Sequence, residues 1–243
     1  MAAAPAPIQQ GGAPAHHPLA LIVTLFLIAT GVVVLLAHLD VFEDSSSSNG
    51  VQGSGVAATQ TRQVAPFNRI DLAGSNSVIV RVGPKQTVVV HADDNLLRHV
   101  TTQVHGGALV IGNTPGSFTT RSPMTVEIGV PSLEALTLSG SGLVSVSGIS
   151  RPLMSISLPG TGLVHASGTA SRLDVTLGGS GNAQLGELVA RNVHAVVTGS
   201  GQIVVSATKR LDASVPGSGS IIYGGDPSHV TRSVTGRGAI TRG

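Results

Sequence analysis

The sequence predicts an all-β head wound as a β-helix, carried behind one N-terminal membrane-spanning helix and a flexible linker. Three observations predict it. A nineteen-residue run without charge lies near the amino terminus, a polar Ser/Gly stretch follows it, and a G-x-G unit then recurs six times at intervals of 18 to 20 residues. The composition agrees: 11% of residues are charged, 2% are aromatic and 32 are Gly, with a positive mean hydropathy that argues against disorder. There is no Cys. That excludes a disulfide framework, a thiolate zinc site and a cysteine nucleophile.

Residues 1–18 form a short tail. Residues 19–37 (LALIVTLFLIATGVVVLLA) carry no charge, and at ~1.5 Å per residue they reach about 28 Å, close to the hydrocarbon thickness of a bilayer. A cleaved signal peptide shows a basic n-region, a shorter apolar run and a small-x-small cleavage site. Here the tail has no Lys or Arg, the run is too long, and Ala37-His38-Leu39 is a poor cleavage signature. The expectation is an uncleaved helix over 19–39. The positive-inside rule is silent, since no Lys or Arg stands within twenty residues of either flank. The short tail and the strand-rich, Gly-rich sequence beyond point the head outward, into the periplasm or outside the cell. Residues 40–65, with Glu43, Asp44, Ser45 to Ser48 and Gly50, Gly53 and Gly55, read as a flexible tether.

The head, 66–243, is read from its repeat. G-x-G begins at Gly140, Gly160, Gly179, Gly199, Gly217 and Gly236. Two residues before each stand Leu138, Leu158, Leu177, Val197, Val215 and Val234. Four before stand Leu136, Ile156, Val175, Ala195, Ala213 and then Arg232. Four after come Val144, Val164, Ala183, Ile203, Ile221 and Ile240, and six after come Val146, Ala166, Leu185, Val205, Tyr223 and Arg242. Alternation of period two on both sides of a Gly corner means strand, corner, strand, each with one face inward. One such coil cannot close a core. Stacked coils ~4.8 Å apart line the aliphatics up in columns. Glycine at the corner serves a positive φ or a close backbone approach.

Gly74-Ser75-Asn76, between Ile70/Leu72 and Val78/Val80, reads as a divergent coil of the same kind. Further strands are expected over 87–91, 108–111 and 125–130, with Asp93-Asp94-Asn95 and Gly106-Gly107 as turns. Arg232, Arg237 and Arg242 place charge on the last coil, which discourages edge pairing.

The opening FNRIDLAGSNSVIVRVG (67–83), the segment VVVHADDNLL (88–97) and the G-S-G corners at Gly140, Gly179, Gly199 and Gly217 resemble the auto-transporter adhesin head GIN domain, a bacterial family of unknown function. The resemblance covers residues 66–243. It implies a right-handed, single-stranded, pectin-lyase-like β-helix and a role in cell adhesion, with no shared catalytic residues.

Chemistry is sparse. No G-x-G continues to a phosphate loop, and all precede strands where a nucleotide loop needs a helix N-terminus. No G-x-S-x-G elbow occurs. The repeat carboxylates are Glu134, Asp174, Glu187 and Asp212. Asp174 and Asp212 both stand five residues before a corner Gly, two coils apart, with His194 between them. At ~4.8 Å per coil they lie about 10 Å apart, slightly beyond an inverting glycosidase pair. This column reads as a solvent-facing ladder of mutually relieving charges. Asp93-Asp94-Asn95 lacks a calcium-loop pattern and reads as a turn. No catalytic, cofactor or metal-ligating set is assigned. Net charge is +2, the basic residues are spread along the chain, and stacking aromatics are scarce, so no nucleic-acid partner is expected.

The functional expectation is a non-enzymatic, single-pass module of the bacterial cytoplasmic membrane that presents a protein- or glycan-binding surface. A self-associating envelope sensor or scaffold, working as a homo-oligomer, is the first alternative. A polysaccharide-active enzyme is the second.

Overall fold

A computed structural model describes residues 50–243. The expected tail, the membrane helix over 19–39 and the linker up to residue 49 lie outside the described residues. Within them the chain is all-β, with a single three-residue 3-10 turn at Leu97–His99, and no helix is long and apolar enough to cross a membrane.

The repeat winds as a β-solenoid of about five coils. Four coils are continuous bent strands, Leu143–Leu158, Leu163–Leu177, Asn182–Val197 and Gln202–Val215; the fifth is split into Ser220–Gly225 and His229–Val234. Neighbouring coils pair in parallel, and the register places like on like. Ile70, Leu136, Ile156, Val175, Ala195, Ala213 and Arg232 form one ladder, and Val78, Val144, Val164, Ala183, Ile203, Ile221 and Ile240 another. The aliphatic members are buried until the last coil, where Arg232 is exposed and Ile240 only partly covered. These are the columns that the sequence spacing predicts.

Two kinds of corner close each coil. At the G-x-G corner the glycines keep negative φ, so close approach is the reason for them. A Cβ on Gly179 would overlap the carbonyl oxygen of Gly160, and that oxygen is Gly179's counterpart one coil earlier. The same oxygen ladder is hydrogen-bonded corner to corner, as where Ser200 N–H donates to Gly179 O at 3.1 Å. At the opposite corner positive φ is required instead, at Gly148 (φ 79°) and Gly168 (φ 133°). Register slips there, between Val146 and Ile149 and between His165 and Gly168. Coils of unequal length thereby return to register before the next G-x-G corner.

The first coils depart from a simple winding. Arg69–Leu72 pairs on one side with Ala135–Leu138 and on the other with Ala108–Asn113. Ser77–Val82 likewise lies between Leu143–Leu158 and Thr125–Val130. The outermost rung is therefore residues 108–130, and the chain passes back over the preceding rung before entering the regular coils. Antiparallel strands complete this end: Val100–His105 folds onto Ala108–Asn113 through Gly106-Gly107, and Thr87–Asp93 pairs with Thr125–Val130. Positive φ at Gly106 and Gly107 (54° and 79°) makes that hairpin turn.

The tether expected over 40–65 is corrected in its second part. Val51–Gln52 pairs in parallel with Phe118–Thr119, and Ala57–Thr61 runs antiparallel to Thr87–Asp93. Composition misled here, because Gly53 serves packing: a Cβ on it would overlap the Asp93 carboxylate.

Candidate functional site

The four repeat carboxylates occupy outward positions, and each meets a basic side chain. Glu134 pairs with Arg151 at 3.0 Å, Asp174 with Arg172 at 2.8 Å, Glu187 with His165 at 3.5 Å and Asp212 with His194 at 3.8 Å. The two histidine pairs are ionic only when the ring is protonated. Asp174, His194 and Asp212 are successive members of one register ladder, as their spacing predicts. All three are about a third to a half exposed. Two carboxylates with an imidazole between them, each already paired to a neighbour, suit a charge ladder better than acid-base chemistry. No group of three His, Asp or Glu side chains fit to hold a metal ion occurs among the described residues.

Beside that ladder runs a second one which the sequence reading did not isolate: Leu153, Arg172, Asn192, Arg210 and His229. Arg151, Arg172, Arg191 and Arg210 recur once per coil, and Lys209 stands beside the last. The signal was present as the 38-residue interval from Arg172 to Arg210, two coil periods. A groove of about 390 Å³ lies between the two ladders, lined by Arg172, Asn192, His194, Arg210 and Asp212.

A larger concavity, about 690 Å³, opens at the G-x-G corner of the first rung, between Ser75, Asn113, Thr120, Met124 and Ser141. Asn76 stands where the regular coils have the second Gly. It is 3% exposed and its amide exchanges hydrogen bonds with Asn113 at 3.0 and 3.3 Å. A side chain fits there because its outer neighbour is the 112–124 loop.

The Asp93-Asp94-Asn95 turn holds the entering chain. Asp93 is fully buried, and its carboxylate accepts from the backbone N–H groups of Gly55 (3.0 Å), Arg121 (2.8 Å) and Ser122 (3.2 Å) and from the Ser122 hydroxyl (2.9 Å). The Arg121 N–H above all holds its pKa below the usual carboxylate value, against the opposing effect of burial. Asp94 accepts from the Ser54 hydroxyl, and Asn95 donates to the Gln52 carbonyl at 2.8 Å. All three side chains serve structure, and the turn expected from sequence is present.

An outward-facing polar exterior on a stacked aliphatic core defines a β-solenoid domain. The family model of the putative auto-transporter adhesin, head GIN domain, matches residues 66–227, about two-thirds of the chain, and the chain belongs to that family. Among solved structures, a putative adhesin from Bacteroides fragilis is similar at TM-score 0.64 and 25% identity, over 79% of this chain and 100% of that one. A putative lipid binding protein from Parabacteroides distasonis is similar at TM-score 0.53 and 22% identity, over 79% and 99%. The second likeness bears on the fold alone. No curated protein matches the chain.

Proposed function

We propose that the chain is a non-enzymatic adhesion module of the bacterial envelope. Residues 19–39 anchor it in the cytoplasmic membrane, residues 40–49 space it from the bilayer, and the head faces the periplasm or the exterior, with the right-handed winding its family implies. The observation that carries this reading is the family match over a solenoid whose ladders turn outward as continuous faces. Such faces suit contact with an extended partner, protein or glycan. Protease added to intact cells or spheroplasts is expected to remove the head without lysis, and deletion of 50–243 to reduce attachment to surfaces; protection in both preparations overturns the placement, and unchanged attachment the role. A second reading, self-association, is favoured by Val230 and Val234, 39% and 44% exposed on the last coil. Sedimentation that stays monomeric over a wide concentration range disposes of it.

A further inference from the structure

We propose that the face bearing Arg172, Asn192 and Arg210 binds a linear acidic glycan whose carboxylates fall on alternate sugars, laid along the solenoid axis. This rests on the adhesion reading and names the ligand class of one face. Winding concentrates charge that looks dispersed along the sequence. Arg172 and Arg210 share one register ladder with a single rung between them, which puts their backbones about 10 Å apart. Arg172 gives its Nε to Asp174, at 2.8 and 3.1 Å, and its two terminal nitrogens donate to nothing among the described residues. Arg191, Lys209 and Arg210 are exposed and have no side-chain ion pair or hydrogen bond among the described residues. His229 continues the ladder, its ring already 3.1 Å from the Ser228 hydroxyl.

The groups between the cations decide the kind of polyanion. Asn192, Asp174 and Asp212 offer an amide and carboxylate acceptors in and beside the groove. Acceptors of this kind take hydrogen bonds from hydroxyls and repel a closely spaced phosphate chain. The one tyrosine in the repeats, Tyr223, is turned inward and 6% exposed, so no tyrosine ring is offered to bases. Within this ladder the arginines stand two rungs apart, with hydroxyl acceptors beside them, and that spacing matches a sparsely charged, hydroxyl-rich polymer. Planar guanidinium forks suit carboxylates, which they bind bidentately.

The test uses the full-length chain in neutral detergent, titrated onto immobilised hyaluronate, with dextran and single-stranded DNA as comparisons. Binding to hyaluronate at low salt, weakened at high salt, is expected, with none to dextran. The Arg172→Ala/Arg210→Ala variant is expected to lose about tenfold or more in affinity while keeping its melting midpoint. Lys85→Ala/Arg98→Ala, at the other end of the molecule, is expected to bind as the parent does. Unchanged affinity in the first variant, an equal loss in the second, absence of salt-sensitive binding, or equal affinity for DNA overturns the proposal. Cells carrying the Arg172→Ala/Arg210→Ala variant separate the two claims. Attachment kept while hyaluronate binding is lost removes this face as the adhesive surface and spares the adhesion reading; hyaluronate binding by a parent that supports no attachment does the reverse.

Discussion

The two ends of the described chain solve the same problem differently. From Ala135 onward each coil is held by its neighbours, through aliphatic ladders and glycine corners with no room for a side chain. At the amino-terminal end, residues 50–130 have no earlier coil among the described residues to lean on. There the chain uses antiparallel strands, a backtracking rung and a buried carboxylate that gathers four donors from two segments. The difference teaches that a repeat is specified by contact with itself, whereas the end of a repeat needs singular, non-repeating contacts.

The largest effect expected from this contrast is at Gly179. Its added Cβ meets the backbone of Pro159 and Gly160, where the Gly160 N–H donates to Leu138 O at 3.1 Å, whereas the Cβ of neighbouring Gly178 finds only ordinary contacts, Thr198 Oγ1 at 3.7 Å and Pro159 Cα at 3.9 Å. Gly179→Ala is expected to cost more than about 3 kcal/mol or to abolish folding. Gly178→Ala is expected to stay within about 0.5 kcal/mol of the parent, aided by a less free unfolded chain. Urea unfolding of the pair decides it, and equal losses would mean that the corners tolerate a side chain.

Next in size is the aliphatic ladder. Leu158 is fully buried in the middle of the stack, and Val234 is 44% exposed at its end. Truncation of Leu158 to Ala is expected to cost about 3 kcal/mol, while Val234→Ala costs under about 0.5 kcal/mol. A large loss at Val234 would show that the last coil is covered in solution, which sharpens the self-association reading.

Asp93 tests the other end. Its carboxyl releases its proton more readily in the folded chain than in the unfolded one, so its contribution is whole above the unfolded pKa of about 3.9 and is lost as pH falls through the lower folded value. Acid is therefore expected to loosen the segment around Gly55 and the Arg121-Ser122 turn before the coils. Protection factors at those amides, taken against the slower intrinsic exchange in acid, should fall on acidification in the parent, and be lowered already at neutral pH in Asp93→Asn. Simultaneous opening of the coils would refute the local role.

Much of the solenoid was legible because its information is periodic. Leu138, Leu158 and Leu177 sit at equal offsets from equal glycines, and register turns that offset into contact. The strand at 125–130 and the Gly106-Gly107 turn were also readable, from local alternation and local backbone demand. The backtracking rung was not, because nothing in Ala108–Asn113 says that its parallel neighbour is Arg69–Leu72 and not the next strand in sequence. Asp93 was read as a turn residue; its partners stand 28 to 38 positions away, beyond any local pattern. In the candidate site, the Asp174–His194–Asp212 ladder followed from counting to the corner. The arginine ladder beside it was missed because charge was judged by runs along the chain instead of by the coil period.

The smallest effect is expected where that ladder is most conspicuous. Arg172 and Asp174 make two contacts, at 2.8 and 3.1 Å, but their side chains are 59% and 32% exposed. Water and salt screen such a pair, and ordering two side chains offsets part of the attraction. Asp174→Asn is therefore expected to lower stability by no more than about 0.5 kcal/mol, a difference that added salt erases. The same substitution frees the Arg172 Nε. It is thus expected to raise affinity for hyaluronate slightly if the arginine ladder binds it, so one variant reads a stability that barely moves and a binding constant that does. A stability loss above about 2 kcal/mol would instead mark Asp174 as a structural tie between coils, like Asp93 at the other end.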